Sequence, residues 1–420
     1  MLNWSNRFNI CCFLDNNGYS SPYHRYEALL ATEALERVVC PAGAAFSALQ
    51  QFHDSCRDWL FGHLAYDLYH ETAGLPQSAL PSSLTDGIAF PDLYFFRPRV
   101  VMLLQQHQVS IGGENFSAAQ ARAIYEACRQ MPEQVTQQPA SSGPLRAPLG
   151  RIDRAAYLDA VKALQEHIHR GDCYEVNFCR ENYIPDISVG PLALFDRLNR
   201  LSPAPFAAYY RLDDKYLLCA SPERFLQQQG PAVISQPIKG TARRTHNAAQ
   251  DERARAALYE SAKERAENVM VVDLVRNDLS QTATAGSVEV AELFGIYSFA
   301  QVHHMISTVK AQRAPGASFT DVLRHAFPMG SMTGAPKIKV MQLIAQYEQT
   351  RRGLFSGALG YITPKGDADF NVVIRSILYN AAGRYLSFPT GSAITFYSDP
   401  EKEWEECMLK AEAMMQVLGA

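Results

Sequence analysis

Hydrophobic residues recur along the second half of this chain with two alternating periods. Tyr157, Val161, Leu164 and Ile168 follow one another at spacings of four, three and four, the period of one buried helix face. Asp153 stands where an N-cap belongs, and Gly171 where such a helix stops. The stretch CYEVNF then switches to a period of two. Tyr174, Val176 and Phe178 fall on one face, Glu175 and Asn177 on the other, as in a half-buried strand. AAYYRL and KYLLCA flank Asp213-Asp214 as the arms of a hairpin, and AVISQPI reads as a further strand. Helical patterns cover 248–273, 336–350 and 400–418, and strands are expected at 355–363, 370–379 and 384–389. Before residue 131 the signals are mixed: GHLAYDLY and DLYFFRPRVVMLL predict strands, FSAAQARAIYEACRQM a helix. Residues 132–150, PEQVTQQPASSGPLRAPLG, have no apolar period and are rich in Pro, Ser, Gly and Gln. They predict a linker or crossing loop between an N-terminal part (1–131) packed on the core and a core at 151–420. Hairpins mixed with separate helices predict an α+β fold with antiparallel sheets, not a wound parallel one.

Composition narrows the classes. The 420 residues are 47% hydrophobic and 20% charged, enough for a large core. Net charge is -4 with no basic run, so no nucleic-acid partner is expected. No apolar stretch approaches the roughly 20 residues that span a bilayer, and the N-terminus lacks the charged and apolar regions of a signal peptide. No membrane association is expected. Nine cysteines, an odd number without a CxxC pair, predict reduced thiols in a cytoplasmic protein.

Four carboxylates carry the first candidate chemistry. Glu264 and Glu267 are three apart in one helical pattern, and Glu403 and Glu406 in another, with Lys410 one turn on. Residues at that spacing share a face. Carboxylates converging from two helices suit Mg²⁺, which takes hard oxygen ligands and retains waters; two solvated helix faces would look the same. In PMGSMTGAPKIKVMQLI, Thr333 is placed to cap a helix, with Pro336 in its first turn and Gly330 and Gly334 just before it. Free N–H groups there would bind a carboxylate or phosphate. Arg375 lies among apolar residues in a predicted strand and needs an anionic partner. Gly391 opens a predicted turn near the second carboxylate helix. Lys239, between Ile238 and Gly240-Thr241, is an unusual setting for a surface lysine.

These motifs together resemble the chorismate-utilising enzymes. The resemblance runs over 150–418 through GDCYEVNF, SPERF, PIKGTARR, ERAENVMVVDLVRNDLS, VHHMISTV, FPMGSMTGAPK, RRGLFSGALGY and GSAITFYSDPEKEWEECMLKA. Earlier it is weaker, resting on Gly62 to Asp67 and FPDLYFF. It implies two facing antiparallel β-sheets with flanking helices. It implies Mg²⁺ held by Glu267 and Glu406, with Glu264 and Glu403 assisting through water. The metal would bind the ring carboxylate of chorismate. Arg375, Tyr361, Lys410 and the backbone near Gly391 would hold the enolpyruvyl carboxylate, and Thr241, His304, Thr333 and Gly334 would complete the substrate site.

Lys239 selects among the family's reactions. Members that aminate chorismate at C2, giving anthranilate, carry alanine in its place. Members that add water carry a base lysine where this chain has Glu175. The resemblance therefore implies amination at C4, giving 4-amino-4-deoxychorismate on the way to 4-aminobenzoate and folate. Lys239 would be a transient nucleophile with a pKa lowered by desolvation, or a fixed cation. Glu223 would be the acid that protonates the departing hydroxyl, which requires a raised pKa. No glutaminase motif is found, so ammonia is expected from a separate glutamine amidotransferase subunit. Amination at C2, or a catalytically silent chorismate-binding subunit, are the alternatives.

Overall fold

The computed structural model describes residues 1–74, 84–131 and 147–419. The expected α+β class with antiparallel sheets is what it shows. Most strands join into one large antiparallel sheet that closes on itself, and a second sheet of three strands stands beside it. The residues before the seam are woven into the large sheet. Ile10–Asp15 pairs with both Ala28–Cys40 and Phe206–Leu212, and Leu60–Leu64 lies between Leu93–Gln105 and Ala358–Ile362. Most of the predicted linker, 132–146, lies outside the described residues.

Helices cover the sheets where their apolar faces demand it. Asp153 caps Arg154–His169, its side chain accepting from the Ala156 N–H at 2.9 Å, and the predicted face of Tyr157, Val161, Leu164 and Ile168 is buried. That face meets Val340, Ile344, Ile394 and Cys407, so three helices share one core over the small sheet. No helix among the described residues is long and apolar enough to cross a membrane.

Several expected elements differ in ways that bear on the site. The helix predicted over 248–273 is two, Ala248–Glu260 and Ala262–Ser280, broken at Ser261. The Ser261 hydroxyl caps the second helix by accepting from the Glu264 N–H, which places Glu264 in a first turn, where the helix dipole favours an acid. The strand predicted over 370–379 is also two, Ala368–Val372 and Ser376–Asn380. Arg375 therefore lies at a break, with a left-handed φ of 50°, not in mid-strand. Thr333 caps nothing: the helix is Lys337–Tyr347, its N-cap is Pro336, and the Thr333 hydroxyl donates back to the Met329 carbonyl. Gly391 belongs to the strand Thr390–Thr395, opposite Cys179, and not to a turn. Finally, CYEVNF contributes the strand Glu175–Arg180, buried on both faces rather than one. Tyr174, just before it, is exposed. The polar face of this strand is turned inward, toward a cavity.

Candidate active site

That cavity measures about 1160 Å³ and opens between the two sheets' helices. Its walls bring together Lys239, Glu223, Thr241, Glu264, Glu267, His304, Arg375, Gly391, Glu406 and Lys410. Residues scattered over more than 180 positions of sequence thus meet at one place.

Lys239 comes from the strand Ile238–Arg243, which pairs with Val302–Gln312 through an irregular register between Ile238 and Thr241. Such a bulge re-aims a side chain. Gly240 supplies the bend with a φ of 92°, a conformation that side chains rarely adopt. Lys239 is only 8% exposed, and its amine contacts the Glu175 carboxylate, itself 2% exposed. The expectation of a lowered lysine pKa is corrected here. Burial alone would lower it, but Glu175, then Glu267, the hydrogen bond to Glu175 and Glu406 together hold it above its ordinary value. In the free protein Lys239 is an ammonium.

Glu223 follows the strand Lys215–Ser221 and is fixed by its backbone. Its N–H donates to the Ser221 hydroxyl at 3.2 Å, and its carbonyl accepts from the Val372 N–H at 3.0 Å. Burial pushes its carboxyl up to about 7, against the pull of Ser331, the Ile238 backbone, Lys239 and Arg375. It is poised to be protonated near neutrality.

The other polar groups are suited to an anion. Arg375 makes no hydrogen bond or ion pair through its side chain among the described residues, and burial brings its pKa down to about 10 against the opposing pull of Glu223. The Lys410 amine donates to the Gly391 carbonyl at 2.8 Å and pairs with Glu406 at 2.7 Å. His304 is held by Thr241, whose hydroxyl lies 2.9 Å from Nδ1, while its buried Nε2 has no hydrogen-bond partner among the described residues. Burial, then Arg375, keeps the ring neutral. Gly391 is required by closeness: a Cβ there would lie 2.5 Å from Cys179 Sγ and 2.8 Å from the Phe178 carbonyl. Gly391→Ala is expected to lose about 1–3 kcal/mol of stability through overpacking. It should also raise the KM for substrate, a pair of effects read by thermal unfolding and steady-state kinetics.

The four carboxylates meet a metal's requirements only in part. Glu264, Glu267 and Glu406 line the cavity, whereas Glu403 is buried behind it, near Ser398 and Ser392. Burial raises Glu267 to about 7, and burial also raises Glu264. Glu267 Oε1 is buried without a hydrogen-bond partner among the described residues. For Glu406, burial is outweighed by Lys410, Lys263 and Lys239, and its pKa falls. Among the described residues no three His, Cys, Asp or Glu side chains converge tightly enough to ligate one ion in this arrangement. Hard oxygen donors and a buried carboxylate oxygen held only by a 3.8 Å ion pair with Lys263 fit Mg²⁺ all the same, because that ion needs only one or two direct carboxylates.

Three other expected site residues lie elsewhere. Tyr361 packs with Tyr26, Trp59 and Phe61 and lines a separate small cleft, because its strand turns that face away from the cavity. The aromatic ring on the cavity wall is Phe355. Thr333 and Gly334 lie one layer back, the first accepting from the Asn177 N–H and the second paired with Val176, while their neighbours Ser331 and Met332 reach the wall. Asn177 also lines the cavity, its amide donating to the Ser331 carbonyl at 2.9 Å. Its place, like that of Glu175, was signalled by the polar half of the CYEVNF alternation.

Buried acids of raised pKa, ion-paired lysines and a buried arginine with no ion pair among the described residues define a site for a small, multiply charged anion that undergoes acid-assisted chemistry. The family follows from comparison with known proteins. Residues 11–416 match the model of the chorismate binding enzymes, and the chain belongs to that family. It is 31% identical over 418 residues to "Aminodeoxychorismate synthase component 1" of Salmonella typhimurium, covering 94% of this chain and 90% of that protein. It is 34% identical over 365 residues to "Anthranilate synthase component 1" of Thermus thermophilus, covering 85% of this chain and 76% of that protein. Its fold is similar to the crystal structure of anthranilate synthase component I from Streptococcus pneumoniae, with a TM-score of 0.78, 22% identity, and coverage of 94% and 93%.

Proposed function

We propose that this protein aminates chorismate at C4, as the large component of an aminodeoxychorismate synthase that draws ammonia from a separate glutamine amidotransferase subunit. The observation that carries this reading is the buried Lys239 amine in one cavity with Glu223, an acid poised at about 7. The Salmonella relative's name supports it.

The residues divide the work by charge. Arg375, with no ion pair among the described residues, and Lys410 hold the enolpyruvyl carboxylate. Glu267 and Glu406, with Glu264 nearby and Glu403 behind, hold Mg²⁺. When bound, the ion neutralises the ring carboxylate and orients the ring. Neutral His304 offers Nε2 to the substrate. Lys239, as a free amine, adds at C2. The C1–C2 electron pair shifts to C1–C6, the C5–C6 pair to C4–C5, and the C4–O bond breaks. Glu223 gives its proton to that oxygen, which leaves as water. Ammonia then adds at C4, the electron pairs return, and Lys239 is expelled from C2. Two displacements replace one harder step. The nine unpaired cysteines support a reducing, cytoplasmic setting.

The raised pKa of Lys239 favours a second reading, in which it is a fixed ammonium and ammonia attacks C2 to give anthranilate. The two are separated by incubating the protein with chorismate, MgCl₂ and ammonium and identifying the product by chromatography. Accumulation of 4-amino-4-deoxychorismate supports the first reading, and direct release of fluorescent anthranilate the second. Excess EDTA is expected to abolish turnover and added MgCl₂ to restore it. Full turnover in EDTA would refute the metal assignment.

A further inference from the structure

We infer that Glu175 is the proton acceptor that frees the Lys239 amine for attack and returns the proton when the lysine is expelled. This rests on the reading of Lys239 as the nucleophile, and it answers the difficulty that reading meets. The lysine must be neutral to bond carbon, yet its neighbours keep it charged.

The geometry leaves one route for the proton. The only ion pair of Lys239 among the described residues is with Glu175 Oε1. Both groups are buried, at 8% and 2% exposure, and only the lysine reaches the cavity. Glu175 is held by its strand, which pairs with Thr395 on one side and Ala335 on the other. Its carboxylate faces inward with the Asn177 side chain because both occupy the same face of the pleat. It touches the lysine and not the cavity wall, so it acts on the reaction through Lys239.

Electrostatics favour this route over loss of the proton to solvent. The charged groups facing Lys239, besides Glu175, are Glu264 and Glu267 on the helix Ala262–Ser280, Glu406 on the helix Pro400–Leu418 and Glu223 beside the strand Arg224–Gln229. Removing a proton from this cluster to bulk water leaves it one unit more negative, and every carboxylate opposes that. Passing it to Glu175 leaves the total charge unchanged. The surrounding field then enters only as its difference across one hydrogen bond. Burial penalises both the ammonium and the carboxylate, and the transfer neutralises both at once.

The cycle balances. Glu175 takes the proton from the Lys239 ammonium. The neutral amine bonds C2, leaving a secondary ammonium, as Glu223 protonates the departing oxygen. Ammonia bonds C4 and becomes the product's ammonium, and Lys239 leaves C2 as a neutral amine. Glu175 returns its proton, and Glu223 is reprotonated from water.

The test is single-turnover formation of the lysine–substrate adduct without ammonia, in chorismate and MgCl₂, followed by acid quench and mass spectrometry. Glu175→Gln retains the hydrogen bond but takes no proton. Its adduct rate is expected to be about 100-fold lower near neutrality. The wild-type to variant ratio should shrink about tenfold per pH unit as solvent takes over deprotonation. Chorismate affinity by fluorescence titration should change little. An adduct rate equal to wild type, or a deficit that ignores pH, would overturn the inference and leave a structural ion pair. The wild type gives an independent answer should the variant not fold. Below the limb set by Glu223 its adduct rate should be level; a tenfold rise per pH unit there would mean that solvent takes the proton and overturn the inference. A wild type that aminates chorismate at C4 with no adduct at any pH brings down the nucleophile reading itself, and this inference with it, a result distinct from either failure of Glu175 alone.

Discussion

Lys239→Ala protein will form 4-amino-4-deoxychorismate from chorismate and ammonium at a rate lower on the order of 10³-fold or more, with chorismate still bound. The other amines on the cavity wall are placed differently: Lys263 is largely exposed and pairs with Glu267, and Lys402 is exposed. Lys410 is tied to Gly391 and Glu406, and Arg375 does not deprotonate. The substitution also strands Glu175. A buried carboxylate robbed of its partner costs roughly 3–5 kcal/mol. The double variant Lys239→Ala/Glu175→Gln removes both charges and separates chemistry from folding. It should recover the thermal stability of the wild type without recovering turnover. Wild-type turnover in either variant would show that Lys239 takes no part in the reaction.

Glu223→Gln should lower kcat by about 10²–10⁴-fold, the usual contribution of a positioned acid. A distinct pH signature accompanies it. The acid acts only while protonated, and burial puts its pKa at about 7. Wild-type kcat should therefore fall as pH rises through about 7 and hold its value below. In the variant that falling limb should vanish, because glutamine has no proton to lose. A wild-type profile that rises through this range would assign Glu223 to the role of base. Loss of activity with the limb intact would place the acid elsewhere.

Much of this was legible in the sequence, and the limits have physical causes. Apolar periodicity located the helix at 154–169, which buries one face, and two apolar runs around the polar Asp213-Asp214 located the hairpin, whose strands are buried on both faces. It misread the strand at 175–180, since inward polar residues and exposed ones leave the same alternation. Spacing paired Glu264 with Glu267, but nothing local reveals that Glu403 turns from the cavity while Glu406 faces it. The break at Ser261 was visible only as a serine within an otherwise helical run. Local setting marked Lys239 and Arg375, and family resemblance added Glu223 and His304, all found lining one cavity, yet the resemblance carried Tyr361 to the wrong ring of an aromatic-rich stretch, where Phe355 faces the site. The contact of Lys239 with Glu175 joins positions 64 apart, and no pattern of period or spacing encodes it.

The most direct test of the account is the position of nitrogen in the product made from chorismate and ¹⁵N-ammonium. Amination as described puts the label on C4, with the enolpyruvyl ether still attached and no pyruvate released. Label on C2 of an aromatic ring, with one pyruvate freed per turnover, would contradict it.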